Sequence, residues 1–137
     1  MNLFQDGDFT SHAGLPLKWK LECDAITDDE WRCLAKMVMD YQTRPFYKAV
    51  GIPRGGLKFA EAMNEYASGN DTDQIMICDD VFTTGTSMLD FIKEEYPMWS
   101  MGQGYRWVAF ARKPSNVNPY HTRALFTMPN VTTEEYK

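Results

Sequence analysis

The chain has 137 residues, with 14 Lys and Arg against 19 Asp and Glu, a net charge of −5. A chain of that length makes one domain that buries roughly two thirds of its unfolded surface, and its acidic balance excludes a general attraction for nucleic acid or an anionic membrane. The acidic opening MNLFQDGDF carries no basic-then-apolar leader, and no apolar run approaches the ~20 residues of a membrane span, so a cytoplasmic location without membrane contact is expected.

In chain order, the first 26 residues contain GDFTSHAGLPLKWKLECD, rich in glycine, aromatics and lysine. Lying ahead of the first strand of an expected core at 27–137, they are expected to form a small hood. Thr27 and Glu30 form a capping box, and Trp31, Leu34, Ala35, Val38 and Met39 follow at helical spacing, which predicts a helix from Asp28 to Tyr41. Pro45 separates it from the strand FYKAVGI, which ends at the turn Pro53-Arg54-Gly55-Gly56. Leu57 to Ala67 again suits a helix, and Ser68-Gly69-Asn70-Asp71 is a break. Ile75, Met76, Ile77 and Cys78 are apolar without alternation, as in a strand covered on both faces. Ser87 to Tyr96 reads as a crossover helix stopped by Pro97, WVAFA at 107–111 as a buried strand, and ALFTM as a further strand after a Pro- and Asn-rich loop. This order predicts an α/β single domain with a mainly parallel sheet flanked by helices, joined by right-handed crossovers. Ligands in such sheets bind beyond the carboxyl ends of the strands. Cys23, Cys33 and Cys78 fit neither a disulfide framework nor a metal pattern and are expected to be reduced structural thiols.

Three segments fall at those carboxyl ends. Asp79 and Asp80 close the apolar strand, placed to hold sugar hydroxyls or a bound cation, and Thr83, Thr84, Gly85, Thr86 and Ser87 supply hydroxyls and free N–H groups at a helix start, a phosphate site. The same residues also read as a tight turn with Thr86 or Ser87 as an N-cap. GIPRGG, residues 51 to 56, offers two glycines for close backbone approach and the forked donor of Arg54, suited to a diphosphate, or else a glycine turn with a solvated arginine. Arg112 follows WVAFA; Lys113 beside it reads as solvated charge and His121 as a surface residue.

The run from Ile75 to Ser87 resembles the phosphoribosyl pyrophosphate (PRPP) signature of the type I phosphoribosyltransferases, where a hydrophobic strand meets two acids and a Thr-Thr-Gly-x-Ser/Thr loop. The resemblance implies that Asp79 and Asp80 hydrogen-bond the ribose hydroxyls, that Thr83 to Ser87 wrap the 5′-phosphate, and that Thr83 lies close to the incoming base. It implies that Ile52, Pro53, Arg54, Gly55 and Gly56 form the pyrophosphate loop, in that family often with a non-proline cis peptide. On this basis Asp79, Asp80 and Arg54 are the catalytic candidates, with Mg2+ carried by PRPP and Asp79 as its one candidate protein contact. The N-terminal stretch is similar to that of orotate phosphoribosyltransferases. Phe9, Thr10 and Gly14 fit, His12 stands where a pyrophosphate-contacting lysine would be, and Lys18, Trp19 and Lys20 occupy the base-holding aromatic stretch. His12 reads equally as an exposed loop imidazole and Trp19 as a hydrophobic anchor. At the position of an Asp-Arg pair that presents its arginine to the orotate carboxylate, this chain has Ala111-Arg112. His12, Lys20, Thr83 and Arg112 are therefore the base-binding candidates.

One departure stands out: the interval NEYASGNDTDQ is short and holds no Lys or Arg, where orotate-type enzymes carry a long basic loop. Leaving-group charge must then be met by Arg54, Lys58, Lys18 or Lys20. The resemblance implies a PRPP-dependent transferase of a homodimeric family acting on orotate or a similar pyrimidine, with PRPP and a nucleobase as partners. The missing loop keeps a non-catalytic PRPP- or nucleotide-binding regulator open beside it, and a scaffold used only for protein contacts is a third reading.

Overall fold

The computed structural model describes residues 1–10, 14, 16–82, 85–100, 102–112 and 122–128. Four parallel strands, β3 (Phe46–Gly51), β4 (Gln74–Phe82), β5 (Tyr105–Ala111) and β6 (Arg123–Thr127), lie side by side in chain order. A separate antiparallel pair, β1 (Phe4–Thr10) and β2 (Pro16–Leu21), precedes them, followed by a short 3-10 turn at Cys23–Ala25.

Helix α1 (Asp28–Met39) begins as expected: the Thr27 hydroxyl accepts from the Glu30 N–H at 3.1 Å and the Glu30 carboxylate from the Thr27 N–H at 2.9 Å. It stops two residues before Tyr41, where Asp40 is the C-cap. α2 (Leu57–Met63) is shorter than its helix-compatible stretch, because Asn64–Tyr66 tightens into a 3-10 turn. The Asn64 side chain has another task. Its amide oxygen accepts from the Ala49 N–H at 2.8 Å and its amide nitrogen donates to the Ala49 carbonyl at 2.9 Å. Those bonds satisfy the backbone of edge strand β3 where its register with β4 shifts.

Strand alternation sends side chains to two cores. Met76, Cys78, Trp107 and Ala109 face α1 and α2, where Trp31 stacks on Phe59 at 5.3 Å between ring centroids. Ile77 and Val108 face the other way, against Met88 and Ile92 of α3 (Thr86–Glu95). The chain steps in one direction, β3 to β4 to β5, yet α2 and α3 cover opposite faces. The two crossovers therefore have opposite hands, and the expectation of right-handed crossovers holds for one only. The burial of Phe59 and Met63 against α1 draws α2 to the α1 face. No helix among the described residues is long and apolar enough to cross a membrane.

The strand expected to close at the acid pair runs on through it to Phe82. Pairing of β3 with β4 stops at Gly51 and Cys78, while β4 and β5 stay paired to Phe82 and Ala111. Asp79 to Phe82 thus project past the end of β3, and the chain leaving β3 folds against them.

Candidate functional site

The loop after β3 is fitted to the projecting end of β4 by backbone contacts. The Ile52 N–H donates to the Cys78 carbonyl and the Gly56 N–H to the Ile52 carbonyl, each at 2.9 Å. A Cβ on Gly55 would lie 2.6 Å from Cγ of Asp80, and one on Gly56 would lie 2.8 Å from the Ile52 nitrogen. Only glycine lets this loop lie so close to the second acid. The Pro53–Arg54 peptide is cis, as in the pyrophosphate loops the sequence resembles.

Asp79 is buried and Asp80 half-buried. The Asp79 carboxylate accepts from the Asp80 N–H and the Asp80 carboxylate from the Val81 N–H, both at 2.8 Å. Burial first, then the Asp80 charge beside it, pushes the Asp79 carboxyl far above the ordinary carboxylate range, to about 8. The opposite wall is the 3-10 turn. Cys23 is buried against Asp80, and desolvation together with that carboxylate holds its thiol well above the ordinary range, as expected of an inert thiol. Cys23, Cys33 and Cys78 are all free.

Beyond β4, Gly85 is the N-cap of α3 with φ +86°, and a Cβ there would lie 2.8 Å from the Phe82 ring. The reading of Thr86 or Ser87 as N-cap is thereby corrected: both lie within the helix's first turn, and a left-handed glycine takes the cap. Gly85, Thr86 and Ser87 line the cleft.

These parts surround one cleft of about 850 Å³, lined by Ile52, Pro53, Arg54 and Gly55, by Asp79 and Asp80, and by Lys20 and Arg112. Gly56 lies beneath it, packed on β4. His12, Thr83 and Thr84, together with Lys113 and His121, lie outside the described residues. Arg54 donates from Nη2 to Asp24 Oδ2 at 3.1 Å, and Lys58 Nζ lies 3.1 Å from Asp28 Oδ1. Lys20 packs over the Phe9 ring at 4.9 Å, with its Nζ 3.5 Å from Glu22. Lys18 turns away to Asp8 at 2.8 Å and is absent from the cleft wall. Arg112 is buried, donates from Nη2 to the Trp19 carbonyl at 2.9 Å, and stacks on the Trp19 ring at 3.9 Å. Sequence reasoning did not anticipate Asp24, Cys23 or Asp90 on the wall. The charge of Arg54 was the one available signal for Asp24, since an arginine beside a crevice calls for an anionic partner.

Among the described residues no group of three or more His, Cys, Asp or Glu is arranged to hold a metal. The adjacent carboxylates instead suit a hard cation that arrives with a phosphate ligand and keeps most of its oxygens from that ligand and from water. Asp79 and Asp80 fit that part, since a cation beside them would relieve the cost of ionising Asp79.

No protein-family model matches the sequence, and no curated protein sequence does either. Solved structures do match in fold. The UMP synthase of Leishmania donovani superposes with a TM-score of 0.71 at 16% identity over 91% of this chain, which spans 33% of that protein. The orotate phosphoribosyltransferase of Aeropyrum pernix gives 0.69 at 17% identity over 91% of this chain and 88% of its own. That of Mycobacterium tuberculosis, in complex with inorganic phosphate, gives 0.65 at 13% identity, covering 90% and 88%. The strand order, the loop fitted under the acid pair and these superpositions together give the chain the fold of the type I phosphoribosyltransferases, in the form seen in orotate phosphoribosyltransferases.

Proposed function

We propose that the protein is a PRPP-dependent phosphoribosyltransferase that transfers the 5-phosphoribosyl group to a ring nitrogen of a nucleobase, orotate or a similar pyrimidine, and releases pyrophosphate. The observation that carries this reading is the meeting of three segments at one cleft: the acid pair on β4, the glycine loop after β3, and the start of α3. Asp79 and Asp80 hold the ribose hydroxyls. The N-terminal turn of α3, with Thr86 and Ser87, takes the 5′-phosphate through its backbone N–H groups and its dipole. The backbone of Ile52 to Gly56 takes the diphosphate, and Arg54 exchanges Asp24 for it. Mg2+ bound with the diphosphate supplies charge neutralisation of the leaving group.

In the transfer, the bond from C1′ to the diphosphate oxygen breaks with its electron pair on the diphosphate, a bond from the ring nitrogen to C1′ forms on the opposite face, and the proton of the ring N–H passes to the departing diphosphate or to water. Asp79 and Asp80 orient the ring and place negative potential beside the cation-like C1′; neither attacks it. Fixing the substrate at both phosphate ends turns binding energy into position. Arg112 meets the acceptor.

A second reading has its own support. Residues 64–74 contain no Lys or Arg, and Arg54 is already paired. On that reading the chain binds PRPP or a nucleotide on the same cleft without turnover, as a regulator. A pyrophosphate-release assay with PRPP, Mg2+ and a panel of bases separates the two. Release with a pyrimidine is the expected result; PRPP binding with no release for any base would overturn the transferase reading.

A further inference from the structure

Arg112 is 3% exposed, and among the described residues no carboxylate stands within ion-pair distance of it. The position before it, where an acid would orient the guanidinium, is Ala111, a buried member of the apolar cluster under α3. The charge is nevertheless held. The Arg112 N–H donates to the Phe82 carbonyl at 2.8 Å, fixing the base of the side chain on the end of β4. At the tip, Nη2 donates to the Trp19 carbonyl at 2.9 Å and the flat face lies 3.9 Å from the Trp19 ring. Nη1 is fully buried and has no acceptor among the described residues.

A guanidinium stacked on an indole keeps its in-plane N–H groups for hydrogen bonds, because the ring engages only its face. Trp19 thus occupies one face and one N–H of the fork, and the N–H groups of Nη1 are left for a ligand of the cleft that Arg112 lines. An orphaned donor on a buried cation costs more than one on a neutral group, so an anionic acceptor gains most there. A planar carboxylate on a heterocycle matches the fork in charge and shape.

We propose that Trp19 is the positioning residue that sets acceptor specificity: it takes over the orienting part of the missing acid and holds the Arg112 fork for a ring carboxylate. The proposal rests on the ribosyl-transfer reading. It also couples two events, since the same contact docks the β1–β2 hairpin on the core: presenting Arg112 to the acceptor and seating the hood are one arrangement.

The test is calorimetric binding of orotidine 5′-phosphate and uridine 5′-phosphate, which differ only in the ring carboxylate, to wild type, Trp19→Ala and Trp19→Phe. Wild type is expected to prefer the carboxylate-bearing nucleotide by on the order of tenfold or more, the range for a hydrogen bond to a charged group. Trp19→Ala should remove that preference by weakening orotidine 5′-phosphate alone, leaving uridine 5′-phosphate within about twofold. Trp19→Phe, which keeps a flat ring and the backbone carbonyl, should retain most of it. Equal weakening of both nucleotides, or an unchanged ratio in Trp19→Ala, would overturn the role of Trp19 and leave ribosyl transfer standing. Failure of wild type to bind either nucleotide would overturn both.

Discussion

The two walls of the cleft are built differently. The sugar-phosphate wall is backbone: β4 runs past its neighbour, the Ile52–Gly56 loop is bonded to it at 2.9 Å, and Gly55 and Gly56 sit where no Cβ fits. The hood wall is side chain. β1 and β2 pair with each other in a sheet of two strands and meet the core through the Trp19–Arg112 contact and through Leu3 and Leu21 packed on the main core. A wall of backbone fixes a ligand common to many reactions, whereas a wall of a few side chains is the one a single substitution can retune.

The largest expected effect strikes the backbone wall. Gly56→Ala forces a Cβ against the backbone of β4 and of its own loop and should lower Tm by on the order of 10 °C. Gly55→Ala presses on the Asp80 carboxylate instead, and should cost on the order of a hundredfold in PRPP affinity with a smaller fall in Tm. If both glycines accept alanine with native Tm and affinity, the difference between the walls disappears.

Asp79 comes next, with a sign that depends on pH. Its carboxyl is raised in the folded protein from an ordinary 3.8 to about 8, so the folded state disfavours ionisation. Its destabilising contribution is absent below about pH 4, grows as pH rises toward 8 and is full above it. Asp79→Asn should therefore raise the Tm of the ligand-free protein at pH 8 by several degrees and leave it nearly unchanged at pH 4. A gain of equal size at both pH values would remove burial of charge as the cause.

Away from the cleft the effects shrink. Thr27→Ala removes the capping box of α1, costing about 1 kcal/mol, seen as a fall of a few degrees in Tm with PRPP binding unchanged. Lys18→Ala removes a fully exposed pair on the hood, and thermal melts should not distinguish it from wild type. A clear destabilisation there would mean that the hood is held by its surface charges rather than by Trp19.

The same contrast explains what was legible in the sequence. The strands and helices of the core, the acid pair and the glycine loop are local patterns, and each stands close to where its pattern implied, apart from the early ends of α1 and α2 and the run of β4 past the acid pair. The hand of the α2 crossover was not legible, because it depends on Trp31 meeting Phe59, a contact made only when α1 and α2 share a face. Nor were the partners of the two arginines: Arg54 meets Asp24 from 30 residues away and Arg112 meets Trp19 from 93. Ala111 announced a missing acid and gave no sign of its replacement. The run of β4 through Asp79 to Phe82 follows from pairing with β5, which outlasts the pairing with β3.

The most direct measurement of the central claim is calorimetric titration of PRPP with Mg2+ into wild type and into the Asp79→Asn, Asp80→Asn double variant, with circular dichroism to establish that both are folded. The account predicts saturable, Mg2+-dependent binding to wild type and a loss on the order of a hundredfold or more in the folded double variant. Unchanged affinity in that variant, or no binding to wild type, would contradict it.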